Sequence, residues 1–154
     1  MKKKIFKKNF LTIIRNSIGT NMFRNFYYKD RGDVLKNGDL SCAFYVLTIL
    51  LIFGFVDRVY FRVIDLVATI EGGGWYETES KRLRKGCIVV WNPVNQGGNG
   101  HFHIGFYMGN GIAISNRSSL GVPGEHPVIY SGLDKDQKTK KVTIHAIYWH
   151  KKLG

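Results

Sequence analysis

Three residue types in this chain could do nucleophilic chemistry together: a cysteine, a histidine and a polar partner for the histidine. Cys42 stands near the front of the longest apolar run, DLSCAFYVLTILLIFGFV, residues 39–56. With Asp39 or Ser41 as the cap, Cys42 falls in the first turn of a helix. Unpaired backbone N–H groups and the positive end of the helix dipole favour a thiolate there. The thiolate is the nucleophile, and an ordinary cysteine at neutral pH is mostly thiol. The competing reading is that Cys42 is a small hydrophobe filling the core.

The base comes from HFHIGFYM, residues 101–108. Strict alternation puts His101, His103, Gly105 and Tyr107 on one face and Phe102, Ile104, Phe106 and Met108 on the core face. Gly105 lacks a side chain, so a helix end could approach the strand closely there. The plain alternative is two half-exposed histidines on a polar sheet face. A third group should orient the imidazole. If Asn110 and Gly111 form a two-residue hairpin turn, Gly105 pairs with Asn116, and Asn116 shares the His103 face. That makes Asn116 the expected partner of His103. A three-residue loop would shift the register by one and bring Ser115 to that face instead. His126, on a loop, is a further alternative.

The elements that must hold these groups follow from pattern. Residues 40–53 are apolar all round, as in a central buried helix, and Gly54 is its stop. Residues 56–74 show helical spacing ending in EGGG. Residues 21–38 read mostly as loop. Strands follow: KGCIVVWNP (85–93), a loop NQGGNG, the hairpin 101–116, a short HPVIY (126–130) and KVTIHAIYWH (141–150). Helices first and an antiparallel meander after them make an α+β domain with helices on one sheet face.

This order resembles the NlpC-type papain-like cysteine peptidases, relatives of the CHAP amidases. The residues that carry the resemblance are NGDLSCAFYV, GCIVVWNP and HIGFYMGNGIAIS, over roughly 23–119. It implies a papain-like fold whose central N-terminal helix carries the cysteine and packs on an antiparallel sheet. It implies Cys42 as nucleophile and His103 as base, with Ser115 aligned to the third position, usually a histidine. Ser41-Cys42-Ala43 departs from the usual Asp-Cys-Ser. The implied activity is hydrolysis of amide bonds in peptidoglycan stem peptides or related amides. The wider context looks like a small branch of such proteins from bacteria with reduced genomes.

A chain of 154 residues suits one domain, here a basic helical arm (1–20) and a papain-like hydrolase domain (21–154). The formal net charge of +12 draws the surface to polyanions. The arm could contact an anionic wall polymer or a membrane surface, or pack one apolar face on the domain. FLTII is too short for a signal-peptide core, and the run 43–56 is too short to span a bilayer, so the localisation stays open. The two cysteines have no CxxC spacing, and Cys87 reads as core within a buried strand. Trp91, Trp149 and Tyr107 read as packing residues. His145 and His150 have no evident partner, and KDQKTKK reads as a solvated turn.

Three functions compete. The first is a cysteine amidase or endopeptidase using Cys42, His103 and Asn116, with no cofactor. The second is a zinc site of His101, His103 and Cys42, since HxH on a strand aims two imidazoles one way. The third is a catalytically silent module of the same fold holding anionic wall polymer or nucleic acid. No nucleic-acid-binding motif is present, so no sequence-specific nucleic acid is expected.

Overall fold

The structure, a computed structural model, describes residues 2–58, 60–79, 82–93, 101–133 and 139–154. In chain order the elements are α1 (Lys2–Asn16), β1 (Tyr27–Tyr28), β2 (Gly32–Asp33), α2 (Cys42–Ile52), α3 (Val63–Gly72), β3 (Trp75–Glu77), β4 (Ile88–Trp91), β5 (His103–Gly109), β6 (Ile112–Arg117), β7 (Val122–Pro127), β8 (Tyr130–Leu133), β9 (Thr139–Val142) and β10 (Ile144–His150). The main sheet is antiparallel throughout, in the order β3-β10-β4-β5-β6-β7. Two small ribbons, β1-β2 and β8-β9, stand apart from it. The fold is α+β, as the helix-then-strand order implies.

α2 is buried along most of its length, as its all-round apolar sequence requires. It ends where Gly54 takes φ +66, which lets the Phe55 N–H reach back to the Leu50 carbonyl. α2 packs on the sheet face of Ile104 and Phe106, where Tyr45 meets Phe106 edge-on at 5.9 Å. α3 starts at Val63, later than its helical spacing suggests; residues 55–58 and 60–62 before it are not helical. β3 and β7 lie in stretches that carry no clear alternation. Each gains its hydrogen bonds from a neighbour far along the chain or across a turn. Loop 95–100 and most of KDQKTKK lie outside the described residues.

α1 packs its apolar face on the domain. Phe10 and Ile14 are fully buried, and the Phe10 ring meets Phe53, Phe55 and Phe106 edge-on at 5.2, 5.9 and 5.5 Å. α1, α2 and the sheet thus share one core. Among the described residues no helix is long and apolar enough to cross a membrane.

Phe10→Ala should cost about 3–5 kcal/mol of stability, the usual loss for a buried phenylalanine. Denaturant unfolding checks this. An unchanged midpoint would mean that α1 is an independent arm.

Candidate functional site

The approach of Cys42 to the sheet is set by the loop before α2. Asp33 organises that loop. Its carboxylate accepts hydrogen bonds from the backbone N–H groups of Phe26, Leu35 and Asn37 and from the Asn25 amide at 2.7–3.1 Å. The Asn37 N–H does most to hold the Asp33 carboxyl down at about 2, against a smaller opposing effect of burial. Gly38, at φ +92, then lies against the Gly121 backbone so closely that no side chain fits at either glycine. Loop and sheet are locked together by the Asn116 amide, which donates to the Gly38 carbonyl at 2.6 Å.

Cys42 is the first residue of α2, as its position after Ser41 suggests. Its sulfur lies 4.0 Å from the Phe102 carbonyl oxygen, next to His103. The backbone N–H groups of Ala43, Ile104 and Cys42 itself surround the sulfur and favour a thiolate. Burial opposes them and wins, pushing the Cys42 thiol up to about 11. The sequence suggests a depressed thiol from the helix dipole alone; the dipole is present, and desolvation outweighs it. Cys87 is a buried core thiol, also raised to about 11 by burial, and both cysteines are free.

His103 opens β5. Its Nε2 is 2.8 Å from Ser115 Oγ, and Ser115 Oγ is 2.7 Å from His126 Nε2. His126 Nδ1 is 2.8 Å from the Pro127 carbonyl oxygen. Trp91, pinned by an Nε1–H bond to the Val128 carbonyl at 2.8 Å, packs against both imidazoles at 5.5 and 5.3 Å between ring centres. Tyr130 closes over His126 at 5.0 Å. The Tyr130 phenol is pushed up to about 12, mainly by burial and secondly by Cys42 nearby. Burial, and then the neighbouring His126, holds His103 down at about 3. His126 is lowered mainly by burial, with the Pro127 carbonyl opposing and Arg117 reinforcing.

Asn116 is therefore not beside His103, which corrects the expectation from the turn. The turn itself has two residues: Asn110 and Gly111 take φ +53 and +73, and Gly109 pairs with Ile112. Met108 then forms a bulge, so that Tyr107 pairs with Ala113 and Phe106 with Ile114. The bulge shifts the register by one beyond the turn. Ser115 comes to the His103 face, and Asn116 goes to the buried side with Gly38. Gly105 also serves a different neighbour from the one its sequence suggests. A Cβ there would fall 2.7 Å from the Ser115 Cβ and 2.6 Å from the Ile114 carbonyl oxygen, so the missing side chain makes room for β6.

The zinc set is not assembled either. His101 is exposed and precedes β5, and among the described residues no three His, Cys, Asp or Glu side chains gather as metal ligands. The remaining singled-out residues are structural. His150 is 3.1 Å from the Gly73 carbonyl through Nε2 and packs on Phe55 and Trp75, partners that only the fold supplies. His145 packs on Phe102, Tyr107 holds the Gly111 N–H, and Trp149 lies under Lys7 and Arg84. The residues missed from sequence are Trp91, as the wall behind both imidazoles, and Tyr130. Trp91 pairs directly with His103 across β4-β5, a register that strand alternation alone does not give.

No protein-family model matches this chain, and no curated protein matches it.

Cys42 should alkylate slowly with iodoacetamide at neutral pH. The rate should climb about tenfold per pH unit and level off only near the raised thiol value of about 11. Peptide mapping by mass spectrometry reads the rate at each cysteine. A plateau already reached below pH 7 would show a preformed thiolate.

Proposed function

We propose that this protein is a papain-like cysteine hydrolase of the NlpC kind, cleaving amide bonds in peptidoglycan stem peptides or related amides. One observation carries the reading. A cysteine at the start of a buried helix lies against the backbone of β5 beside a histidine, and that histidine's Nε2 is held by a polar side chain of the next strand. The chemistry needs no metal. His103 Nδ1 takes the Cys42 thiol proton as sulfur attacks the amide carbonyl. The oxyanion is stabilised by the Cys42 N–H at the helix start. His103 then gives the proton to the leaving amine, and water, activated by His103, hydrolyses the thioester. Since both groups are neutral at rest, His103 acts as a general base during attack.

A groove of about 540 Å³ supports an anionic polymer as the larger substrate. Lys7, Lys8, Arg15 and Lys85 flank a floor that includes Leu11 and Leu153, with no Asp or Glu in its lining. Lys85 lies along Gly109, at the end of β5 remote from His103. Six strand steps of about 3.3 Å put the groove about 20 Å from the chemistry. A linear polymer can bridge that distance, and charge would hold it in a salt-sensitive way. The apolar face of α1 is already used in the core, which favours a polymer over insertion into a membrane.

The silent binding module keeps one observation in its favour. The half-buried Cys42 and His103 are both far from the charged forms of a preformed ion pair.

Digestion of purified peptidoglycan, with fragments read by mass spectrometry, separates the two. Cys42→Ala should abolish fragment release and keep the fold by circular dichroism, and Cys87→Ala should leave release intact. Equal losses from both substitutions, or no release by the unmodified protein, would remove the hydrolase reading. Lys8→Glu with Lys85→Glu should weaken retention on insoluble wall and flatten its dependence on salt.

A further inference from the structure

The bonds around Ser115 determine where every proton sits. The Pro127 carbonyl can only accept, so His126 carries its hydrogen on Nδ1. A neutral His126 then has a bare Nε2, which accepts the one hydroxyl proton of Ser115. With that proton spent, Ser115 Oγ can only accept from its other side. His103 must donate to it through Nε2–H, leaving its Nδ1 bare.

We propose that His126 is a positioning residue that sets the tautomer of His103 through the Ser115 hydroxyl. Among the described residues the hydroxyl is the one hydrogen-bonded link between the rings, whose centres are 6.2 Å apart. Ser115 is fully buried, so water does not offer an alternative partner. The base therefore depends on a residue that does not touch it by hydrogen bond.

The same accounting makes the base acid-sensitive. A proton added to His126 Nε2 turns that atom into a donor. Ser115 then accepts there, and because leaving its buried hydroxyl hydrogen unpaired is costly, it turns that hydrogen toward His103 Nε2. His103 then moves its hydrogen to Nδ1, the atom needed to take the thiol proton. No atom is lost; one proton is gained by His126, and the two others change places. The groups that face His126 are His103 on β5, Ser115 and Arg117 on β6, Tyr130 on β8 with Cys42 beyond it, and the neighbouring Glu125 on β7. Burial and Arg117 favour neutral His126, so the change lies on the acid side of the ordinary imidazole value.

Imidazole nitrogen NMR on the full chain tests this without any substrate. At pH 7 His103 should show Nε2–H and a bare Nδ1. As His126 titrates, the His103 pattern should invert to Nδ1–H at the same midpoint. His126→Gln supplies a non-titrating acceptor, and should keep the Nε2–H form of His103 down to lower pH. Ser115→Ala should give a mixture of both forms that ignores His126. A His103 with Nδ1–H at pH 7, or one unmoved while His126 gains its proton, would overturn the proposal. Circular dichroism confirms that each variant is folded, and Ser115→Thr, which restores the hydroxyl, should recover the single tautomer where Ser115→Ala does not.

The role of the tautomer in catalysis rests on the hydrolase reading, whereas the tautomer itself does not. Inverted NMR with no wall cleavage would sink that reading and leave this inference standing. Wall cleavage with a His103 indifferent to His126 would do the reverse. If both stand, the acid limb of the cleavage rate should follow the His126 midpoint and move to lower pH in His126→Gln.

Discussion

A serine hydroxyl has one hydrogen to give, and at Ser115 two imidazoles compete for it. Because Ser115 is buried, the contest has no third party, and the protonation of His126 decides the form of His103. Gly105 leaves the space into which Ser115 reaches, and Trp91 holds the two rings in place. The bulge at Met108 brings Ser115 to this face at all.

Burial governs the reactivity of the site. It raises Cys42 and lowers His103, so both rest in their neutral forms. A helix start and three backbone N–H groups favour a thiolate but do not overcome desolvation. In the hydrolase proposed above, the charges needed for attack would appear only in the transition state, where a partly desolvated site strengthens every fixed dipole.

The position of Cys42 is a loop problem. Asp33 ties together the backbone of residues 26–37, Gly38 and Gly121 meet where a side chain would not fit, and Asn116 clamps the Gly38 carbonyl. These contacts bring the first turn of α2 to Phe102 and Ile104. Asn116 thus serves the loop that places Cys42, while its neighbour Ser115 holds His103.

Local pattern was enough for the features that depend on nearest neighbours. The apolar run 40–53 determines a buried helix with Cys42 at its start, because a helix with no polar side must be central. Alternation in β5 separates His103 from the core face, and Asn110-Gly111 determines a two-residue turn, because few other residues tolerate positive φ twice in succession. Tertiary structure decided the rest. The bulge at Met108 is not marked by any turn residue, and one extra residue exchanges Asn116 for Ser115 because side chains alternate with period two. His126 joins the site only through β7, and Trp91 through its pairing with β5. The protonation of Cys42 was beyond the sequence for the same reason: the helix start is local, whereas the desolvation that outweighs it comes from surfaces brought together only in the folded chain.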